Sequence, residues 1–330
     1  MAHVLSLADA EARVARLFEQ GGALPEAARS VARALVGAEA DGLKGHGLSR
    51  IATYLAMLKS GKIDGSAVPR VTQARPGVLA IDAACGFAYP AIDAAIERLP
   101  ALAREQGIAA AAISRSNHAG ACGRHVERLA EKGLVALFFA NTPEAIAPWG
   151  GTRAVFGTNP IAFGAPLEGR APVVIDLALS KVARGNIVAA KQKGQPIPEG
   201  WALDKDGRPT TDSDAALAGT MIALGDAKGA ALALMVEVLA AALVGTHFAF
   251  EASSFLDDKG GPPQTGQLII AIDLGAFGHS LFGTRMQMLA SAIESQQGTR
   301  LPGVRRLALR GKAMREGLNV PEEICKILER

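Results

Sequence analysis

Strand-length apolar runs crowd the middle of the chain, while both ends keep helical periodicity. Residues 78–82, 108–114, 134–140, 155–163, 173–178 and 268–273 are the runs. Each has the length of a strand. Gly- and Pro-rich loops lie between them, notably 141–152 and 193–209. An amphipathic helix is expected over 90–106, and a long Ala/Leu-rich helix over 226–245. Residues 5–60 read as helical. Leu7, Ala10, Val14, Leu17 and Phe18 recur at helical spacing, as do Val31, Leu35 and Val36. Pro25 stands where a helix can begin, and Gly61 closes this region. Residues 62–76 hold Gly65, Pro69 and Pro76 and read as a crossover linker. The tail, 286–328, returns to helices broken at Leu301-Pro302-Gly303. A mixed α/β body with helical N- and C-terminal parts is expected.

Composition narrows the class. At 330 residues, 49% hydrophobic and 20% charged, the chain is globular. It is long enough for roughly two domains of about 150 residues, with no need of staples to bury its apolar surface. Aromatics are only 5% while Ala and Gly abound, so the core is built from small residues that suit close packing. The net charge of +3 is spread along the chain, which gives no support to nucleic-acid or membrane binding. Cys85, Cys122 and Cys325 lie far apart without a C-x-x-C pair, so neither zinc nor a disulfide framework is indicated. The N-terminus lacks a basic segment followed by an apolar one, which argues against export. The apolar run 230–244 carries Glu237 and falls short of the ~20 residues a bilayer requires. A cytoplasmic protein is expected.

The common dinucleotide fingerprint is missing. With 37 glycines, the chain has no G-x-G-x-x-G after an early strand and no Walker lysine motif. A dinucleotide bound here needs another architecture.

Several segments could still carry chemistry. In Gly45-His46-Gly47-Leu48-Ser49-Arg50, the histidine and arginine are four apart and would share one helix face. Reduction of a 2-oxo acid requires a proton donor, which histidine provides, and a held carboxylate, which arginine forks. The bland alternative is a helix end with a solvated arginine. Ser116-Asn117-His118-Ala119-Gly120-Ala121-Cys122-Gly123 follows a strand and precedes a helix at 124–132. Its small residues would admit a phosphate to the backbone N–H groups, or it is an ordinary strand-to-helix turn. His118 is a second proton-transfer candidate, while His125 reads as structural. The long loop from Asn141 leads into Phe156-Gly157-Thr158-Asn159-Pro160, and long ordered loops are usually functional. Asp176 ends an apolar strand where it could accept from ribose hydroxyls. Lys181 and Arg184 bring two cations to the next turn, suited to an anion or simply solvated. Lys228, in Gly225-Asp226-Ala227-Lys228-Gly229, opens the long helix and could meet a phosphate or solvent.

Together these segments resemble the malate/L-lactate dehydrogenase family of the second, non-Rossmann type. That family includes sulfolactate dehydrogenases, ureidoglycolate dehydrogenase, diketogulonate reductase and the piperideine/pyrroline-2-carboxylate reductases. The resemblance runs over nearly the whole chain. Its most specific parts are Phe156-Gly157-Thr158-Asn159-Pro160-Ile161-Ala162-Phe163-Gly164-Ala165-Pro166 and Ser116-Asn117-His118-Ala119-Gly120.

The resemblance implies a homodimer and a non-Rossmann nicotinamide-binding fold with a largely antiparallel central sheet. It implies a helical substrate and dimer domain over 1–72, joined by 280–330, and an NAD(P)-binding domain over 73–279. His46 would donate the proton, Arg50 would clamp the carboxylate, and Thr158 would touch substrate. The cofactor, NAD or NADP with NADPH preferred, would meet His118, Ala119, Gly120, Ala121 and Cys122, then Asp176, Leu177 and Ala178. Lys228 and Gly229 would join it, as would Arg300, Pro302, Gly303 and Arg305 in the late R-L-P-G loop. No metal is implied.

This chain departs from the family in places. Gly45 stands where a serine is usual, and Asn186 where the imino-acid reductases have an aspartate. Lys181 replaces a commonly uncharged residue. It points to a substrate with a second anionic group, such as malate or 3-sulfolactate. The expected activity is hydride transfer at C2 of a small 2-oxo or 2-hydroxy acid. Cyclic 2-imino acids are the alternative, and an idle binding protein on the same scaffold the second alternative. A metal-dependent hydro-lyase lacks clustered ligands in this sequence.

Overall fold

The computed structural model describes residues 3–278 and 280–329. The chain opens with β1 (His3–Leu5), α1 (Leu7–Gln20), α2 (Pro25–Ala40) and α3 (Ile51–Ser60). It continues through β2 (Arg70–Arg75), β3 (Val78–Asp82), α4 (Ala88–Gln106), β4 (Ile108–Ser116), α5 (Cys122–Ala130) and β5 (Leu134–Ala140). Then come β6 (Ile161–Leu167), β7 (Arg170–Leu177), α6 (Arg184–Gln192), β8 (Ala202–Leu203), β9 (Pro209–Thr210), α7 (Ser213–Ala218) and β10 (Thr220–Met221). Next, α8 (Ala227–Glu237) runs into a π-helical turn, Val238–Ala242, before β11 (Thr265–Asp273). The tail is α9 (Phe282–Glu294), α10 (Val304–Glu316), β12 (Leu318–Val320) and α11 (Glu322–Leu328).

The main sheet has seven strands in the order β2-β3-β4-β11-β5-β6-β7. Only the β3–β4 pair is parallel, so the sheet is largely antiparallel as the resemblance implied. Both faces of its middle are covered. In β4, Ala109, Ala111 and Ile113 face a core built with α4 and α5, while Ala110 and Ala112 face the core under α8. Strands buried on both sides must be apolar at every position, which is why 108–113 reads as a continuous run. Their alanines let α4 approach closely.

A separate core gathers α1, α2 and α3 with the C-terminal α10 and α11. There β1 pairs with β12, tying the two ends of the chain together. Helix α9 instead packs on the sheet, with Ala290 and Leu301 against Leu167.

Three local expectations change. Residues 62–76 are not only linker, because Arg70–Arg75 forms the sheet's edge strand. The strand expected over 155–163 begins only at Ile161. Before it, Phe156 bridges Ile146 across the loop. Helicity also fails between α2 and α3, where Lys44–His46 and Leu48–Arg50 are two separate 3-10 turns.

Candidate active site

The break between those two turns has a local cause. Gly47 lies with φ −96° and ψ −143°, and a Cβ there would stand 2.3 Å from a Glu39 carboxylate oxygen. Glu39 uses that closeness to accept from Leu48 N–H at 3.0 Å. Burial pushes the Glu39 pKa up, against the opposing pull of the Leu48 amide and Lys44. His46 and Arg50 therefore do not share one α-helical turn, as expected from spacing. They stay close through the fold-back, in which Arg50 Nε donates to Gly45 O at 2.7 Å.

Arg50 is only partly committed. Its Nη1 donates to Phe255 O at 3.2 Å. Of the five N–H donors of a guanidinium, one on Nη1 and both on Nη2 remain unclaimed among the described residues. That is the half needed to fork a carboxylate.

His118 comes from the turn after β4 and stacks on His46, with ring centroids 5.2 Å apart and planes inclined by 21°. Phe255 packs on its ring at 5.2 Å, and Tyr54 OH lies 2.6 Å from its Nδ1. His46 Nδ1 is buried without a hydrogen-bond partner. Burial, then the Arg50 charge, pushes the His46 pKa down to about 4. Burial, then Arg50 and His46, carries His118 well below the ordinary histidine value. Both imidazoles are neutral at neutral pH. The space a side chain would take at Gly45 is open, so no hydroxyl supports His46 there.

The turn that holds His118 is small for internal reasons. A Cβ on Gly120 would lie 2.6 Å from Tyr89 OH, and one on Gly123 would meet Asp176 and Val174. Asp176 Oδ2 accepts from Gly123 N–H at 2.7 Å, so the N-terminus of α5 already faces a carboxylate of the chain itself. A phosphate on the first amides of α5 is thereby displaced as a reading. His118, Ala119, Ala121 and Cys122 are all buried along this turn, and Asp176 keeps its second oxygen for another donor. Leu177 is exposed beside it, followed by Ala178. His125 is structural: its Nε2 meets Ala119 O at 2.8 Å and its ring stacks on Phe138.

Thr158 sits in a loop held from beneath. Its N–H donates to Thr142 Oγ1 at 2.9 Å, and its carbonyl accepts from Leu179 N–H at 2.7 Å. The buried Glu237 accepts from Asn159 Nδ2 at 2.8 Å and from Ala249 N–H at 3.2 Å. Asn159 has φ 39°, a conformation that persists only when its surroundings fix it. Burial raises the Glu237 pKa although these donors oppose it.

Arg300, Pro302, Gly303 and Arg305 line a cavity of about 530 Å³ with Asp41, Gly42, Leu43 and Leu309. Arg300 and Arg305 are exposed at its edge, and Gly303 takes φ 89° to open α10. A cavity with two exposed guanidiniums suits phosphate groups. Lys228 lies in the first turn of α8, where Gly229 lacks a Cβ because Leu224 O would be 1.9 Å away. Lys181 is exposed, with its amino group over Gly200. Among the described residues no hydrogen bond or ion pair joins it to His46, Arg50 or Thr158.

Residues 5–329 match the malate/L-lactate dehydrogenase family. The chain belongs to that family. The dehydrogenase is 51% identical to a (2R)-3-sulfolactate dehydrogenase (NADP(+)) of Chromohalobacter salexigens, over 98% of this chain and 96% of the relative. It is 43% identical to a Δ1-pyrroline-2-carboxylate/Δ1-piperideine-2-carboxylate reductase of Pseudomonas putida, over 93% and 90%. The crystal structure of the Δ1-piperideine-2-carboxylate reductase of Pseudomonas syringae superposes with a TM-score of 0.95 at 38% identity, covering 99% of each chain. The dehydrogenase is an oxidoreductase. Among its described residues no group of three or more His, Cys, Asp and Glu could hold a metal, and no helix is long and apolar enough to cross a membrane.

Sequence reasoning missed Tyr54, Tyr89, Phe255, Glu237 and Glu39. Tyr54 had a signal, standing four residues after Arg50 at the start of an apolar helix. Phe255 had none, since only the fold brings its loop onto His118.

Proposed function

We propose that this dehydrogenase moves a hydride between a nicotinamide cofactor and C2 of a small 2-oxo or 2-hydroxy acid, with a dianionic acid such as sulfolactate or malate preferred. The observation that carries this is the pairing of two stacked, neutral imidazoles with an arginine whose outer donors are free. Arg50 holds the C1 carboxylate by those donors. His46 gives a proton to the oxygen at C2 in reduction and takes it in oxidation. Because Arg50 depresses the His46 pKa, a carboxylate bound on Arg50 cancels part of that effect and raises the proton affinity of His46 when substrate is present. Thr158 donates to the substrate from its fixed loop, and Phe255 covers His118 against water.

The cofactor supplies the hydride when bound. His118 to Cys122, Asp176 to Ala178, Lys228, Gly229 and the loop of Arg300, Pro302, Gly303 and Arg305 would hold it. The exposed Arg300 and Arg305 favour NADP(H) over NAD(H), as does the cofactor in the name of the sulfolactate-oxidising relative. Lys181 is assigned the distal anion because it follows the β7 end that buttresses Thr158. The α1–α3 core with the C-terminal helices forms the substrate and dimer domain, and the sheet region the cofactor domain. A homodimer is supported by exposed apolar side chains on α8 and its continuation, where Leu234 is 52% and Leu243 67% exposed. The unpaired cysteines fit a cytoplasmic setting.

Cyclic 2-imino acids are the second reading, supported by the reductases among the relatives. A steady-state panel decides. Purified protein is given each cofactor with sulfopyruvate, oxaloacetate, pyruvate and piperideine-2-carboxylate. Sulfopyruvate or oxaloacetate should be reduced fastest, and Lys181→Met should erase their advantage over pyruvate. Cyclic imines reduced far faster than every 2-oxo acid would overturn the first reading in favour of the second.

A further inference from the structure

The chain has two tyrosines and eleven phenylalanines. Both tyrosines are inside the protein, Tyr54 on α3 at 1% exposure and Tyr89 on α4 at 3%. A phenylalanine would fill either place without a hydroxyl to satisfy. Here the hydroxyls form a line instead. Tyr89 OH is 3.0 Å from Tyr54 OH, which is 2.6 Å from His118 Nδ1. Gly120 makes room for the line, as its absent Cβ would press on Tyr89 OH.

The residues at both ends of the line border open space. Tyr89 helps wall a second cavity of about 330 Å³ with Ser30, Arg33, Asp93, Arg124 and His125. The Arg33 side chain is 55% exposed, so this cavity meets the surface. A polar cavity of that size holds water. At the other end, His118 Nε2 has no partner among the described residues and is not among the sealed, partnerless atoms, so it keeps access to the space beside His46.

We propose that Tyr89 and Tyr54 form a proton wire from cavity water to His118, which makes His118 the solvent-connected proton carrier of the site. His118 rests as the Nε2–H tautomer, with Nδ1 accepting from Tyr54. Its Nε2 proton leaves for the C2 oxygen or for His46. In the same concerted movement Nδ1 takes the Tyr54 proton, Tyr54 takes that of Tyr89, and Tyr89 takes one from water, whose hydroxide is neutralised in bulk. One proton leaves the ring and one enters, so no charge is stored. When product leaves, Nε2 takes a proton from water entering the site as Nδ1 returns its own through Tyr54 and Tyr89 to the cavity, which restores the first tautomer. Oxidation runs the same steps backwards. Burial favours this neutral traffic, since it keeps the imidazole uncharged and raises the pKa values of both tyrosines. The wire rests on the reading of His46, His118 and Arg50 as the reducing site.

Tyr89→Phe cuts the line while sparing the Tyr54–His118 bond. Expected are a loss in kcat on the order of tenfold, in the range of general acid contributions, and a larger solvent deuterium isotope effect. KM for the acid and NADPH affinity should be unchanged. Cofactor-free protein labelled with ¹⁵N histidine should show His118 as the Nε2–H tautomer in wild type and Tyr89→Phe alike. Tyr54→Phe should lose this tautomer preference as well as turnover. A Tyr89→Phe enzyme with wild-type kcat and isotope effect overturns the wire. So does an Nδ1–H tautomer in the wild type, or a fall in kcat at an unchanged isotope effect, which would reduce the hydroxyls to packing. Should Tyr89→Phe fail to fold, Tyr54→Phe carries the kinetic arm. If the wild type oxidises NADPH with no acid, the functional reading fails instead, and the wild-type assay alone shows it.

Discussion

Asp41, which caps the end of α2, and Glu127 of α5 share the same two arginines. Arg306 and Arg310 of α10 each donate to both carboxylates, at 2.6–3.0 Å. Arg124 reaches Asp41 as a third cation at 2.9 Å. Burial alone would raise the pKa of Asp41, and the hydrogen bond from Arg310 with the charges of all three arginines brings it below the ordinary carboxylate value. This network pins α10, and with it the loop of Arg300 to Gly303, onto α2 and α5.

Removing one buried partner strands the others. Asp41→Asn leaves Arg306 and Arg310 with Glu127 alone and takes from Arg124 its carboxylate partner, and should cost about 3–5 kcal/mol. It should also weaken NADPH binding, because the cofactor loop loses its anchor. Urea denaturation and NADPH fluorescence measure the two effects. A loss under about 1 kcal/mol would match an exposed pair and refute the network's structural role.

Arg50→Lys tests the carboxylate fork. A lysine keeps the charge but gives up the paired donors, as well as the bonds to Gly45 O and Phe255 O. KM for the acid should rise on the order of tenfold or more, matching the 1.5–3 kcal/mol of a charged hydrogen bond, with a smaller change in kcat. An unchanged KM removes Arg50 from substrate binding.

Acid should destabilise the fold through its buried histidines. Burial, opposed by the Ala119 carbonyl, lowers the His125 pKa from 6.5 to about 4. Between those values the unfolded chain binds a proton that the folded chain refuses. The stability from neutral His125 is thus complete above pH 6.5 and is lost as pH falls toward about 4. Linkage puts that loss at roughly 3 kcal/mol. His125→Gln should flatten the fall in melting temperature across this window. Equal acid sensitivity in both proteins would assign the effect to other groups.

The fold was legible where burial demands a run of apolar residues. The strand 134–140 coincides with β5, and Pro25 and Gly61 mark true helix ends, because β-sheet cores and helix termini constrain local sequence directly. The edge strand β2 escaped notice since its residues are exposed and polar, as an edge permits. The segment 155–160 looked like strand because its apolar residues face a loop core, where Phe156 bridges Ile146. In the site, His46 and Arg50 were found by chemistry, although their closeness comes from two 3-10 turns braced by Glu39 and not from a helix. The glycines after His118 suggested a phosphate cradle. They answer instead to Tyr89 and Asp176, contacts that exist only after folding.

The most direct test is the turnover of His46→Ala beside wild type, with saturating NADPH and sulfopyruvate or oxaloacetate, followed at the reduced-nicotinamide absorbance. The site described here predicts rapid cofactor oxidation by the wild type and a fall of 10²–10⁴-fold in kcat in the variant, as loss of a general acid brings, with NADPH still bound. Turnover within a fewfold of wild type in His46→Ala would contradict it and pass the proton-donating role to His118.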